Sequence, residues 1–271
     1  MTSAQQALVE RWRGFLGKIS ERLEEICAEA GPGLAAIGEM HPEDSLPIGN
    51  AITGLDHRVR QLQERIGETW DAQVEPKFSE EDILDVGLDL KADAESRLEE
   101  RWSLAKASWL SALAHAARPR AEAAMAQPVA CVGCGGPLAP PTRLTTVAVR
   151  CGHCGVVNQV APPMAVTHYF GWGVQNLAEA AALPHRHAVE RQRVAVDRWR
   201  RARDWAAEPL ESLEEWERLE RAYWVALTGE RARLTGEPAD EKLIESRMSS
   251  FLTYSLESNQ LWVRAKGKLG G

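Results

Sequence analysis

The sequence predicts a mainly α-helical protein: two bundle regions of long antiparallel helices joined by a small β insert. Three observations carry that expectation. Apolar residues recur at alternating threes and fours through most of the first 119 residues and again from about Val166. Prolines crowd the centre of the chain, at Pro128, Pro137, Pro140, Pro141, Pro162 and Pro163. Four of the five cysteines fall in that same central stretch as two C-x-x-C pairs. The division implied is 1–127 helical, 128–163 insert and 164–271 helical.

Each element can be justified in order. In the first helix Trp12, Leu16, Ile19, Leu23, Ile26 and Ala30 form one apolar stripe, and "GPG" at 31–33 is expected to end it. The second repeats the spacing with Ile48, Ile52, Leu55, Val59, Leu62 and Ile66 and should stop before Pro76. Ser79, followed by Glu80, Glu81 and Asp82, reads as an N-cap with acids in the first turn, where the helix dipole favours them. A long helix from there to Pro119 would span about 60 Å at 1.5 Å per residue. Its stripe runs through Ile83, Gly87, Leu90, Ala94, Leu98, Trp102, Ala105, Trp109, Ala112 and Ala116. Successive steps of four from Leu90 to Trp102 break the heptad phase there, which favours a bundle of straight helices over a coiled coil.

In the insert, "TTVAVR" and "VVNQV" are rich in β-branched residues and read as short strands. Helix resumes near Val166, with an interruption expected around Pro184. The next segment, 185–207, puts Ala188, Gln192, Ala195, Trp199, Ala202 and Ala206 on one line. "SLEE" at 212–215 reads as a capping box opening a helix that ends near Gly236. A last helix follows Pro238, with Ile244, Met248, Phe251 and Ser255 on its inner line.

Composition narrows the class. Hydrophobic content of 44% and charged content of 26% are those of a soluble globular chain. No apolar run approaches the roughly 18 residues of a membrane span, and "MTSAQQALVERWRG" has no secretory-leader pattern. Cysteines spaced for metal, with only Cys27 left over, suit a reducing compartment, so a cytoplasmic protein is expected. The net charge of −7 is uneven: residues 1–127 carry 23 acids against 14 Lys and Arg, residues 123–178 carry no acid at all, and 179–271 balance at 16 each. No segment has the strongly basic character that drives non-specific nucleic-acid binding.

The cysteines, Cys131, Cys134, Cys151 and Cys154, follow C-x2-C-x16-C-x2-C. That spacing suits a four-thiolate zinc site, with Gly135 and Gly155 letting the backbone turn tightly after each pair. Four sulfurs complete a tetrahedron and leave no position for water, so such a site is structural. Iron accepts the same four thiolates and stays open as the alternative. A redox dithiol fits less well, because there are two pairs and no βαβ pattern around them. His153, inside the second pair, reads as a bystander.

The stretch "CVGCGGPL…VRCGHCGVVN" resembles the zinc-ribbon family, whose paired knuckles each carry C-x-x-C-G. The resemblance covers about 30 residues and implies a small metal-held β module with those four cysteines as ligands. It names no activity, since ribbons contact nucleic acids, dock proteins or serve structure alone. Arg143 and Arg150 give the module a side-chain charge of +2, which a zinc ion with four thiolates cancels. Counterion release would then contribute little.

Other constellations read more plainly. Seven arginines lie between 186 and 203. Arg186, Glu190, Arg193, Asp197, Arg200 and Asp204 alternate in sign as a solvated stripe, whereas Arg191, Arg198, Arg201 and Arg203 are free to meet an acidic surface such as the N-terminal region. His185 and His187 diverge on a helix and cannot share an ion. His41, His57 and His115 are isolated. Asp82, Asp85, Asp89 and Asp93 share a face that reads as solvated, with a hard cation as the alternative. Trp102, Trp109 and Trp199 alternate with alanines as core, while Trp262 is the candidate exposed anchor. Nucleotide-loop, zincin and serine-elbow motifs are missing. The function expected is a non-enzymatic protein–protein adaptor, scaffold or assembly subunit with a structural zinc ribbon, acting on a protein partner or by self-association. The alternatives are a nucleic-acid-associated regulator using the ribbon and the 191–203 arginines, or an enzyme with its site between the helical regions.

Overall fold

The computed structural model describes residues 1–139, 143–201 and 209–257. Pro140, Pro141, Ala202, Arg203, Asp204, Ala206 and Trp262 lie outside that set, as do the side chains of Trp199, Arg200 and Arg201. The architecture is mainly α with a small β ribbon between helical regions. The helices are α1 (Ser3–Met40), α2 (Leu46–Thr69), α3 (Glu75–Glu80), α4 (Leu84–Met125), α5 (Met164–His168), α6 (Val174–Arg201), α7 (Pro209–Thr235) and α8 (Glu241–Phe251). Single π-helical turns, Trp70–Val74 and Tyr169–Gly173, join α2 to α3 and α5 to α6 without a break. The strands β1 (Val129–Ala130) and β2 (Pro137–Leu138) pair antiparallel, as do β3 (Val147–Arg150) and β4 (Val157–Val160).

The first stripe is buried as expected: Trp12, Leu16, Ile19, Leu23, Ile26 and Ala30 all face inward. They meet Val59, Leu62 and Ile66 of α2 and Leu98, Trp102 and Ala105 of α4 in one core. Trp102 is core on both counts, 3% exposed and with its indole N–H donating to Asp56 at 2.8 Å.

"GPG" does not end α1, which runs on to Met40 through Pro32. The two glycines at heptad spacing serve packing: Gly31 admits the Trp109 indole and Gly38 the Leu113 side chain, both from α4. Pro119 and Pro184 likewise sit inside α4 and α6. All three prolines are exposed. The carbonyl each leaves unbonded four residues earlier therefore lies on the solvent side of the helix, where losing the bond is least costly.

Two start signals and one stop are also corrected. Ser79 lies within α3, and the turn into α4 is made by Asp82 at φ 56°. Ile83 N–H then donates back to Phe78 O at 2.9 Å, a left-handed C-terminal cap. Pro76 opens α3 rather than stopping the second helix. Ser212 is inside α7, which starts at Pro209, so "SLEE" caps nothing. The ends of α7 and α8 follow expectation, with Gly236 at φ 73° after Thr235 and Asp240 accepting from Leu243 N–H at 2.9 Å.

The buried face of α4 also turns along its length. Beyond Trp109 the buried residues are Ala114, Ala117 and Ala121, while Ala112 and Ala116 are exposed. The cause is a change of neighbour, because those alanines pack on Tyr169, Val174 and Leu177 rather than on α1. Thus α4 and α6 bring the N- and C-terminal regions into direct contact. On α6 it is Val196 that is buried, and Ala195 is exposed. Val196 joins Leu213, Trp216, Ile244, Met248 and Phe251 in a second core made with α7 and α8.

Candidate metal centre

The four central cysteines are built by two near-identical turns. In the first, Cys131 N–H donates to Gly136 O at 2.8 Å and Gly135 N–H to Cys131 O at 2.9 Å. In the second, Cys151 N–H donates to Val156 O at 2.9 Å and Gly155 N–H to Cys151 O at 3.0 Å. Gly135 (φ 72°) and Gly155 (φ 78°) occupy left-handed backbone that a side chain would strain, which is why a glycine follows each pair. Each turn also aims an amide at sulfur: Gly133 N–H at Cys131 Sγ and His153 N–H at Cys151 Sγ, both 3.4 Å.

Packed together, the turns place all four sulfurs within 4.8 Å of one another. Cys131 Sγ is 3.6 Å from Cys154 Sγ, and Cys134 Sγ is 3.7 Å from Cys151 Sγ. Thiolates about 2.3 Å from a shared tetrahedral ion would stand about 3.8 Å apart. The donor set therefore fits one metal ion with no room for a fifth ligand. Its all-sulfur chemistry suits zinc, and iron has the same geometry.

The electrostatics of the bare thiols run the same way. Amide donation from Gly133, helped by Cys134, Asn158 and Cys154, pulls the Cys131 thiol down to about 6 against the effect of burial. The Cys154 and His153 amides lower Cys151. At Cys154 the Val156 amide also pulls down, but hydrogen bonds shared with Cys134 and Cys131, together with burial, outweigh it and push the thiol up to about 12. The bare cage thus favours thiolate at Cys131 and Cys151 but opposes it at Cys154, a conflict that a cation removes.

Asn158 is the residue sequence reasoning missed. It is 4% exposed and spans the two turns. Its Oδ1 accepts from Val132 N–H at 2.9 Å, and its Nδ2 donates to Val156 O at 3.0 Å and lies 3.5 Å from Cys131 Sγ. Its position four residues after Cys154 was the available signal. His153 contributes its amide only, and its ring lies against Gly136 outside the sulfur cluster.

Arg143 ties the insert to the helices. Its guanidinium donates to Thr235 O, at the electronegative end of α7, and lies over the Phe170 ring at 4.6 Å.

The remaining sites separate clearly. Arg198 grips Asp89 at 2.9 Å and Asp93 at 3.0 Å, so the acidic face of α4 meets a cation from this chain. Arg191 reaches Glu100 at 3.2 Å, and Arg193 bridges Glu190 and Asp197 within its own helix. His185 faces out while His187 is buried. No helix among the described residues is long and apolar enough to cross a membrane. The chain matches no protein-family model, no curated protein and no solved structure.

Proposed function

We propose that the protein is a scaffold or adaptor in which Cys131, Cys134, Cys151 and Cys154 hold a structural zinc ion. The observation that carries the reading is the closed four-sulfur cage, built on two short hairpins that have few buried side chains of their own. In so small a module the metal supplies the folding energy, roughly 10–16 kcal/mol in comparable cases. The module's outer surface supports docking to protein. It has no acidic residue, and it exposes Val132 (86%) together with Val156 and Val157. A partner with a complementary apolar face fits it better than a polyanion does.

The nucleic-acid reading has less to stand on. Arg143, Arg191, Arg193 and Arg198 are all engaged by groups of this chain. The enzyme reading gains one specific observation, the buried contact of Ser103 on α4 with His187 on α6.

The test has two arms. Purified protein should contain one zinc per chain, and replacing all four cysteines with serine should abolish it and open residues 128–163 to limited proteolysis; an insert that stays protected without metal would end the structural-metal reading. Affinity purification of the native protein should recover a protein partner, or a second copy, that is lost on Val132→Glu together with Val157→Glu. Recovery of neither, with the fold intact, would end the adaptor reading.

A further inference from the structure

Between α4, α6 and α7 lies a cleft of about 480 Å³, within the range of small-molecule sites. It brings together two polar side chains that are almost fully buried, Ser103 (8% exposed) on α4 and His187 (9%) on α6. Ser103 Oγ is 2.7 Å from His187 Nε2 and 3.0 Å from the Glu100 main-chain O, two acceptors between which its one proton can turn. On the other side of the ring, His187 Nδ1 faces Glu100 Oε1 at 3.6 Å, within ion-pair range though longer than a hydrogen bond. Hydroxyl on Nε2 and carboxylate beyond Nδ1 is the order of a serine–histidine–acid relay, which is recognised by geometry and not by sequence position. No sequence motif announces it, because the members come from helices 84 residues apart.

Two further features distinguish the cleft from a simple tie between helices. Burial lowers the pKa of His187, against the opposing pull of Glu100, so the ring is a neutral base near pH 7. Arg186 and the Tyr223 hydroxyl line the same cleft, and neither has a hydrogen bond or ion pair among the described residues. Arg186 is exposed and Tyr223 half-buried, so a ligand that enters from solvent can reach both.

We propose that this cleft is a serine-hydrolase centre for small carboxylic esters, with Ser103 as nucleophile, His187 as general base and Glu100 as the positioning residue for the imidazole. Ser103 Oγ bonds to the acyl carbon as its proton passes to His187 Nε2. The bond to the leaving alcohol oxygen breaks, and that oxygen takes the proton from Nε2. Water then adds to the acyl carbon and gives a proton to Nε2, which returns it to Ser103 as the acyl–oxygen bond breaks. Ester and water become acid and alcohol, with no other reactant. The Ser103 amide lies inside α4, so stabilising the oxyanion falls to Arg186 and Tyr223.

The experiment uses the full chain and a fluorescent alkyl phosphonofluoridate, from which a serine alkoxide displaces fluoride. One label per chain is expected, located by peptide mass at Ser103, with p-nitrophenyl acetate turned over by the unlabelled protein. Labelling and turnover should fall roughly 10⁴-fold in His187→Gln. Glu100→Gln should keep the label but slow it and shift its pH profile, with Glu100→Asp restoring it; a purely structural glutamate would leave the profile unmoved. The groups that set this profile are Glu99 and Glu100 on α4, Arg186 and Arg191 on α6, and Glu220 and Tyr223 on α7. No label on folded wild-type protein, or a label at any residue other than Ser103, overturns the proposal without recourse to a variant.

Discussion

Gly87 shows how a single residue decides between two opposed effects. In an exposed helix, alanine for glycine would gain about 1 kcal/mol. Here a β-carbon would stand 2.5 Å from the Phe78 ring and 2.7 Å from that of Trp70, inside a core that also takes the Trp12 indole N–H on Gly87 O at 3.3 Å. Overpacking costs about 1–3 kcal/mol and wins. Gly87→Ala should therefore lower stability in urea denaturation, and a gain would show that the aromatic cluster is slack. Asn158 is the corresponding residue of the cysteine insert. Asn158→Ala leaves the Val132 amide and the Val156 carbonyl without their side-chain partner, a loss of about 1–3 kcal/mol. The expected readout is faster metal release to a chelator with the helical signal unchanged.

At the scale of elements, the amphipathic stripes of α1 and α2 were legible because a 3.6-residue period follows directly from side-chain order. Strands β3 and β4 were legible from β-branched runs, whereas the two-residue β1 and β2 carry no such run. Helix ends were not. Pro32, Pro119 and Pro184 looked like breaks, yet a proline on an exposed face costs one bond whose carbonyl still reaches solvent. "GPG" looked like a stop because the side chain that Gly31 receives, Trp109, lies more than 70 residues away. The arginine segment shows the same division. Its excess cations were apparent from spacing, but only packing set Arg198 between Asp89 and Asp93. These groups are nearly half exposed, so the contact contributes at most about 1 kcal/mol. Arg198→Glu should lower the melting temperature by a few degrees at low salt, with a smaller effect at high salt. Salt independence would mean that the fork is not electrostatic.

For the whole molecule, the main helical cores contain none of the insert's residues. Metal extraction is therefore expected to leave nearly all helical circular dichroism in place while limited proteolysis opens the chain between 128 and 163. Collapse of the helical signal on chelation would show that the insert holds the bundles together. Acidification probes the helical packing instead. Burial holds His168 and His187 below the ordinary histidine value. The unfolded chain thus binds their protons first, and their contribution, complete above about pH 6.5, is lost as pH falls below it. Glu95 and Glu220, raised by burial, act in the opposite sense: their contribution is present in acid and lost as pH rises from about 4.5 through their folded values. Melting temperatures at pH 7.5 and 5.5 should differ less in His168→Gln, His187→Gln protein than in wild type; an equal difference would refute the assignment.

Residue order alone settled what lies within one turn or one hairpin of itself: the helical periods, the knuckle glycines and the four thiols as a set. Those are local because a tight turn or a 3.6-residue period needs only neighbours in the chain. Tertiary packing settled which face α4 shows along its length, what Gly31 and Gly38 receive, and where Ser103 meets His187. Those depend on which distant surface arrives, and on the apolar area it buries, and no local pattern encodes that choice.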